Sequence, residues 1–275
     1  MTLDLVRMRF HFRALDRVCF PGGGAANVLR GALGLLLGST GSSDTEQIFS
    51  PHMDRGGPSG LADRPRPFVF RARHLNGVAV EADREFHFDL HLFDTRDHAR
   101  ASVMAAFREI ATEGIGLGRG RAALVSVDQK PHSVELDGGN LAAGRVSVHF
   151  LTPTELKSGE EVAPRPEFGA LFARLRDRIS TLRALYGAGP LEIDFRAMGE
   201  RALAVTMTRC ELEWNRAQRT SGRTGQTHPL GGFTGAAEYE GELGEFLPYL
   251  RAGEWTGVGR QTVWGKGEIC CSVVS

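Results

Sequence analysis

The chain of 275 residues balances 33 Lys and Arg against 33 Asp and Glu and is 41% hydrophobic. Those values describe a globular chain able to bury one large core or two ordinary ones; they exclude a disordered polyelectrolyte and lack the strongly basic balance that is the usual footprint of nucleic-acid binding. No apolar run reaches the roughly 20 residues of a membrane-spanning helix, and the start MTLDLVRMRFHFRALD is charged where a secretory leader is apolar, so a cytoplasmic protein with no membrane partner is expected. Cys19 and Cys210 stand far apart and Cys270 and Cys271 are adjacent, so no CxxC pair exists and four reduced, structural thiols are expected.

Along the chain, Arg7 to Ala14 alternates Met8, Phe10, Phe12 and Ala14 with Arg7, Arg9, His11 and Arg13, the pattern of a half-buried strand. Pro21-Gly22-Gly23-Gly24 breaks it, and Ala25 to Leu37 carries Val28, Leu29, Ala32, Leu33 and Leu36 at helical spacing. Residues 38–66 read as a long loop rich in Gly, Ser, Pro and charge. Strands follow at Phe68 to Arg71 and Phe86 to Phe93, then a helix from about His98 to Glu113 stopped by Gly114, then GIGLGRGR and a strand from Ala122 to Val127. This order is compatible with a ferredoxin-like α+β unit.

A second unit begins with the alternating strand Arg145 to Leu151. After Pro166, the residues Phe168, Leu171, Phe172, Leu175, Ile179, Leu182 and Leu185 form a helical stripe whose outer face offers Arg174, Arg178 and Arg183 to solvent. Strands are expected over Arg201 to Arg216, a short helix over Gly244 to Leu250, and a last strand after GVGRQTVWGKG. The two halves thus repeat one architecture.

Several groupings have chemistry in them. In GVGRQTVWGKG, the glycines let the backbone approach a ligand, Arg260 and Lys266 bring charge for phosphates, and Trp264 offers a ring for a base. Neither a P-loop nor a dinucleotide fingerprint is present, so no nucleotide cofactor is indicated. The stretch RAQRTSGRTGQTHPLGGFTG concentrates Arg216, Arg219, Arg223, Gln226 and His228 in one loop, joining phosphate-binding groups to a histidine able to move a proton near neutral pH. His52 in the long loop and His74 in RARHLNG are further proton carriers. In HFDLH, His87, Asp89 and His91 share one strand face and are chemically adequate for a divalent metal, though a solvated or hydrogen-bonded strand face is the default and no partner motif accompanies them. No nucleophile elbow is present.

The alternating strand with its glycine break and NVLRGALG, TPTELK before the long helix, and GGFTGAAEYEGEL with GVGRQTVWGKGE resemble the CRISPR-associated RAMP superfamily, most of all its precursor-crRNA-processing endoribonucleases. The resemblance covers nearly the whole chain, and its most specific part is the C-terminal glycine-rich segment. It implies tandem ferredoxin-like (RRM-like) domains, here residues 1–144 and 145–275. CRISPR repeat RNA, that is precursor crRNA, would lie in the cleft, with other CRISPR effector proteins as further partners.

It also implies a cut without metal or cofactor, in which the ribose 2′-OH attacks the adjacent phosphate and leaves a 2′,3′-cyclic phosphate and a 5′-OH. On this resemblance Arg30, Arg219, Arg223, Gly257, Gly259, Arg260, Gln261, Trp264, Gly265, Lys266 and Gly267 bind RNA. The family often takes acid/base function from a histidine on or near the first helix, and Ala25 to Leu37 has none. His228 is therefore the first choice, ahead of His52 and His74, with Lys266 steadying the transition-state charge. The rival expectations are a crRNA-binding subunit that does not cut, and a metal hydrolase built on His87, Asp89 and His91.

Overall fold

The computed structural model describes residues 1–39, 48–49, 65–138, 143–158, 161–215, 218–220, 227–229 and 231–274. Strand β1 (Thr2–Ala14) buries Met8, Phe10, Phe12 and Ala14, as its alternation requires. It begins at Thr2, earlier than the alternating run, because Leu3 and Leu5 join the core of the other half of the molecule. Helix α1 (Ala25–Ser39) buries Leu29, Leu33, Leu36 and Leu37. Next come β2 (Phe68–Arg71), β3 (Glu85–Leu92), α2 (Asp97–Arg108) with a further helical turn at Ile110–Glu113, and β4 (Ala122–Glu135).

These strands form an antiparallel sheet in the order β2-β3-β1-β4, with Phe10 opposite Phe88 on one side and Val127 on the other. The helices close one face: Phe107 of α2 tilts against Phe10, with ring centroids 4.8 Å apart. The expected strand from Ala122 to Val127 runs on to Glu135, since pairing with β1 continues to Thr2 opposite Glu135. Pro131 is tolerated there because β4 is an edge strand and need not donate outward.

The second half repeats the arrangement. It comprises β5 (Arg145–Thr154), α3 (Phe168–Tyr186), α4 (Phe195–Leu203), β6 (Thr206–Asn215), a hairpin of β7 (Gln218–Thr220) and β8 (Thr227–Pro229), β9 (Gly232–Glu240), α5 (Leu247–Thr256) and β10 (Ile269–Val273). Its sheet runs β6-β9-β5-β10, also antiparallel, so each half places its second, third, first and fourth long strands in that order. That is a ferredoxin-like α+β fold in tandem. The α3 stripe lies buried in the second core, and the buried Tyr239 on β9 donates its hydroxyl to the Pro166 carbonyl at 2.7 Å, fixing the entry to that helix.

Three local expectations need correction. Helix α4 stands where a strand from Arg201 was expected: Asp194 caps it, accepting from the backbone N–H groups of Arg196 and Ala197 at 3.0 and 2.9 Å, and the strand starts only at Thr206. Helix α5 starts at Leu247, with Pro248 in its first turn, and not at Gly244. The α3 arginines do not form one solvated face. Arg174 is exposed, but Arg183 is buried and donates to the Gly189 carbonyl, and Arg178 donates from Nε to the Thr256 carbonyl at 3.0 Å.

That last bond belongs to a seam between the halves at the C-terminal end of α5. Arg71 on β2 donates to the carbonyls of Glu254 and Trp255 at 2.8 and 3.1 Å, and His91 on β3 donates from Nδ1 to the Trp255 carbonyl at 3.0 Å. A helix end leaves its last carbonyls without intrahelical partners and carries partial negative charge, so cationic donors fit there. Burial, and secondarily the Arg71 charge, pull the His91 pKa down to about 3, which keeps the ring neutral.

Candidate functional site

The glycine break after β1 ends in a turn that starts α1, whose first N–H, on Ala25, is capped by the Asn76 side-chain oxygen at 3.0 Å. The N-terminus of α1 opens into a cleft of about 260 Å³ lying between the two halves. Gly22, Gly23 and Ala26 form one side, and the turn that carries Arg73 and Asn76 forms another. Opposite stand Thr152 on β5, Asn215 at the end of β6, and Gly265, Lys266 and Glu268 of the C-terminal loop.

That loop is shaped by close approach. A side chain at Gly265, with φ of 84°, would collide with the Cβ of Ala26, and one at Gly267, with φ of 71°, with the Val258 carbonyl. The loop is thereby pressed onto the first turn of α1. Its backbone is tied to β5: Gly267 N–H donates to the Pro153 carbonyl at 3.1 Å, Glu268 N–H to the Thr152 hydroxyl at 2.9 Å, and Leu151 N–H to the Glu268 carbonyl at 2.8 Å.

Lys266 is turned inward. Its ammonium donates to the Gly231 carbonyl at 2.7 Å and to Gln261 Oε1 at 3.0 Å, with Glu155 at 3.9 Å, and burial lowers its pKa. Gln261, itself in the left-handed region, is thus a loop brace. Arg260 pairs with Glu155 at 2.6 Å while its side chain stays 52% exposed, so one side of the guanidinium remains open to a ligand. Arg30, one turn into α1, has its guanidinium 5.6 Å from the Trp264 ring centroid and 4.8 Å from that of Phe49, so the Trp264 ring props an arginine. Gly257 and Gly259 form the approach to the loop from α5.

Arg219 and His228 pair opposite one another in the β7–β8 hairpin, which lies in sequence between β9 and β6, whose last residue, Asn215, lines the cleft. His52, Arg216, Arg223 and Gln226 lie outside the described residues. His74 is not among the residues that line the cleft: its ring stacks on His87 at 4.7 Å and its Nε2 donates to the His87 carbonyl at 2.9 Å. The HFDLH residues are likewise taken up, Asp89 by a bidentate pair with Arg9 at 2.6 and 2.9 Å and His91 by the seam. Among the described residues, no group of three or more His, Cys, Asp or Glu is placed to hold a metal ion.

Sequence reasoning passed over Arg73, Asn76 and Glu268. The only signals were adjacency: Arg73 precedes His74, and Glu268 follows the last glycine of the loop. Arg73 Nε and Glu268 Oε1 face each other at 3.9 Å.

Comparison with known proteins places this arrangement. Residues 148–269 match the family model of the CRISPR-associated endoribonuclease Cas6, and residues 3–144 match AF_1859_N, described as an N-terminal domain. No curated protein matches in sequence. Among solved structures, a product complex of the Thermus thermophilus Cas6 (TTHB231) superposes with a TM-score of 0.65 at 19% identity, covering 99% of this chain and 100% of that one. A RAMP protein described as binding different RNA substrates gives 0.52 at 13% identity, over 98% of this chain and 100% of that one. A Cas6-RT-Cas1–Cas2 complex gives 0.64 at 10% identity, over 98% of this chain and 29% of that one. Residues 148–269 thus match the CRISPR-associated Cas6 endoribonuclease family, residues 3–144 match a separate N-terminal-domain model, and over its whole length the chain has the tandem ferredoxin-like fold of solved Cas6 and RAMP proteins.

Proposed function

We propose that the protein cuts precursor crRNA within the CRISPR repeat by a metal-independent reaction, in which a ribose 2′-OH attacks the adjacent phosphate to leave a 2′,3′-cyclic phosphate and a 5′-OH. The observation that carries this reading is the cleft, where the N-terminus of a 15-residue helix, Arg73 and a glycine-rich loop converge on one space. A phosphodiester is recognised there by the helix end and by guanidinium donors, which stabilise the added charge of the phosphorane. Arg30 and Arg260 extend the positive rim, and Arg219 and Arg223 add further phosphate contacts. Gly257, Gly259, Gly265 and Gly267 admit the RNA backbone, and Lys266 acts from below by holding the loop and adding charge. Trp264 supports Arg30. His228, on the hairpin, gives its proton to the leaving 5′-oxygen.

The partners are repeat RNA and other CRISPR proteins, the kinds of molecule that accompany the relatives in their complexes. Substitution of deoxyribose for the one ribose 5′ of the cut should abolish cleavage and leave binding intact. Continued cutting of that substrate would refute the 2′-OH mechanism. A second reading, a subunit that holds crRNA without cutting it, draws on the lack of any histidine in α1. Retained RNA with no product over hours would favour it.

A further inference from the structure

The cleft holds three ionisable side chains among the described residues: Arg73, Lys266 and Glu268. Lys266 is spent on the loop. Glu268 is the carboxylate, and its circumstances differ from those of the other acidic groups near the site. Glu155 is buried and grips Arg260 at 2.6 Å; Asp89 is held by two hydrogen bonds from Arg9. The Glu268 carboxylate accepts no hydrogen bond from any described residue, stands 3.9 Å from Arg73 and is 18% exposed, on a residue that lines the cleft. Its backbone is locked by two hydrogen bonds to β5. A fixed main chain, a half-buried carboxylate with unclaimed oxygens and a guanidinium facing it across a cleft are what a positioned proton acceptor beside a phosphate-binding group looks like.

We infer that Glu268 is the general base that takes the proton from the attacking 2′-OH, with Arg73 holding the non-bridging oxygens of the phosphorane. This rests on the reading of the cleft as the cutting site. It also explains how the chain manages without a histidine on its first helix: the proton acceptor stands on the opposite wall. As the O2′–P bond forms, the 2′-OH proton passes to a Glu268 oxygen. The P–O5′ bond breaks and the 5′-oxygen takes a proton from the His228 imidazolium. Protonated Glu268 then restores the His228 proton through water, leaving the enzyme unchanged. Arg73 is a fixed cation with five donors and no basic site, so it stabilises charge and moves no proton.

The test uses the full chain in excess over end-labelled RNA of its own genome's CRISPR repeat, in EDTA. Glu268→Gln keeps the shape of the side chain and removes the base. It should slow single-turnover cleavage by about 100-fold or more, the usual scale for losing a general base, while the RNA Kd stays within about threefold. In Glu268→Ala, sodium formate should restore part of the rate and sodium chloride should not, a response that loss of a merely structural carboxylate would not give. RNA binding and the unfolding midpoint report whether each variant is folded. A Glu268→Gln protein cutting at the wild-type rate overturns the inference while leaving the proposed function standing. So does a Glu268→Ala protein that has lost cleavage and does not respond to formate. A wild-type protein that binds the repeat and never cuts it overturns both.

Discussion

Lys266 and Arg260 lie six residues apart in one glycine-rich loop, and the sequence gives both the same meaning, a cation near a phosphate. Burial separates them. Lys266 is 4% exposed with its donors on Gly231 and Gln261, whereas Arg260 is half open. Lys266→Met should therefore strand the buried Gly231 carbonyl and the part-buried Gln261 oxygen and lower stability by about 1–3 kcal/mol, seen as a fall in the denaturant midpoint. Arg260→Ala should leave stability nearly unchanged, weaken RNA binding and flatten the slope of log K against log salt by about one unit. An unchanged salt slope would remove Arg260 from the RNA surface. Which way a loop lysine points depends on the strand end it meets, here Gly231, thirty-five residues away in sequence, and no local pattern encodes that.

At the scale of the element, β3 shows what periodicity gives and withholds. Its alternation was legible, and Phe86, Phe88, Leu90 and Leu92 are indeed buried. The other face reads in sequence as one uniform polar row, yet His87 stays half-buried beneath His74 while His91 is covered by the end of α5. Coverage by a distant helix cannot be read from a period of two. Its consequence is a pH dependence with a definite sign. His91 is held neutral in the folded protein down to about pH 3 but takes a proton near pH 6.5 when unfolded. Between those values the unfolded state binds the extra proton, so stability falls as pH falls, by at most roughly 1.4 kcal/mol per pH unit. His91→Gln, which can still donate to Trp255, should flatten the decline in urea stability between pH 7 and pH 5. A parallel decline in both proteins would show that another group is responsible.

For the whole molecule, the repeat of strand, helix, two strands, helix, strand was legible because each half carries its own hydrophobic periods and stops. The cleft was not, since it joins Gly22, Arg73, Thr152 and Glu268 from four segments that meet only when both halves are docked. The docking depends on the seam at the end of α5, where Arg71, His91 and Arg178 converge on three successive carbonyls. Arg71→Leu should cost about 1–3 kcal/mol through the unpaired Glu254 carbonyl. Because Arg71 is two residues from Arg73, which lines the cleft, the same change should also slow RNA cutting. A calorimetric loss without a kinetic one would detach the seam from function.

The central claim is that this fold cuts repeat RNA in that cleft without a metal. The measurement that tests it most directly is single-turnover incubation of the purified protein with end-labelled CRISPR repeat RNA in EDTA, with the product ends resolved before and after acid opening of cyclic phosphates. The account predicts one EDTA-resistant cut, a 5′ fragment ending in a 2′,3′-cyclic phosphate and a 3′ fragment beginning with a 5′-OH. A cut that EDTA abolishes, or one leaving a 5′-phosphate, would contradict it.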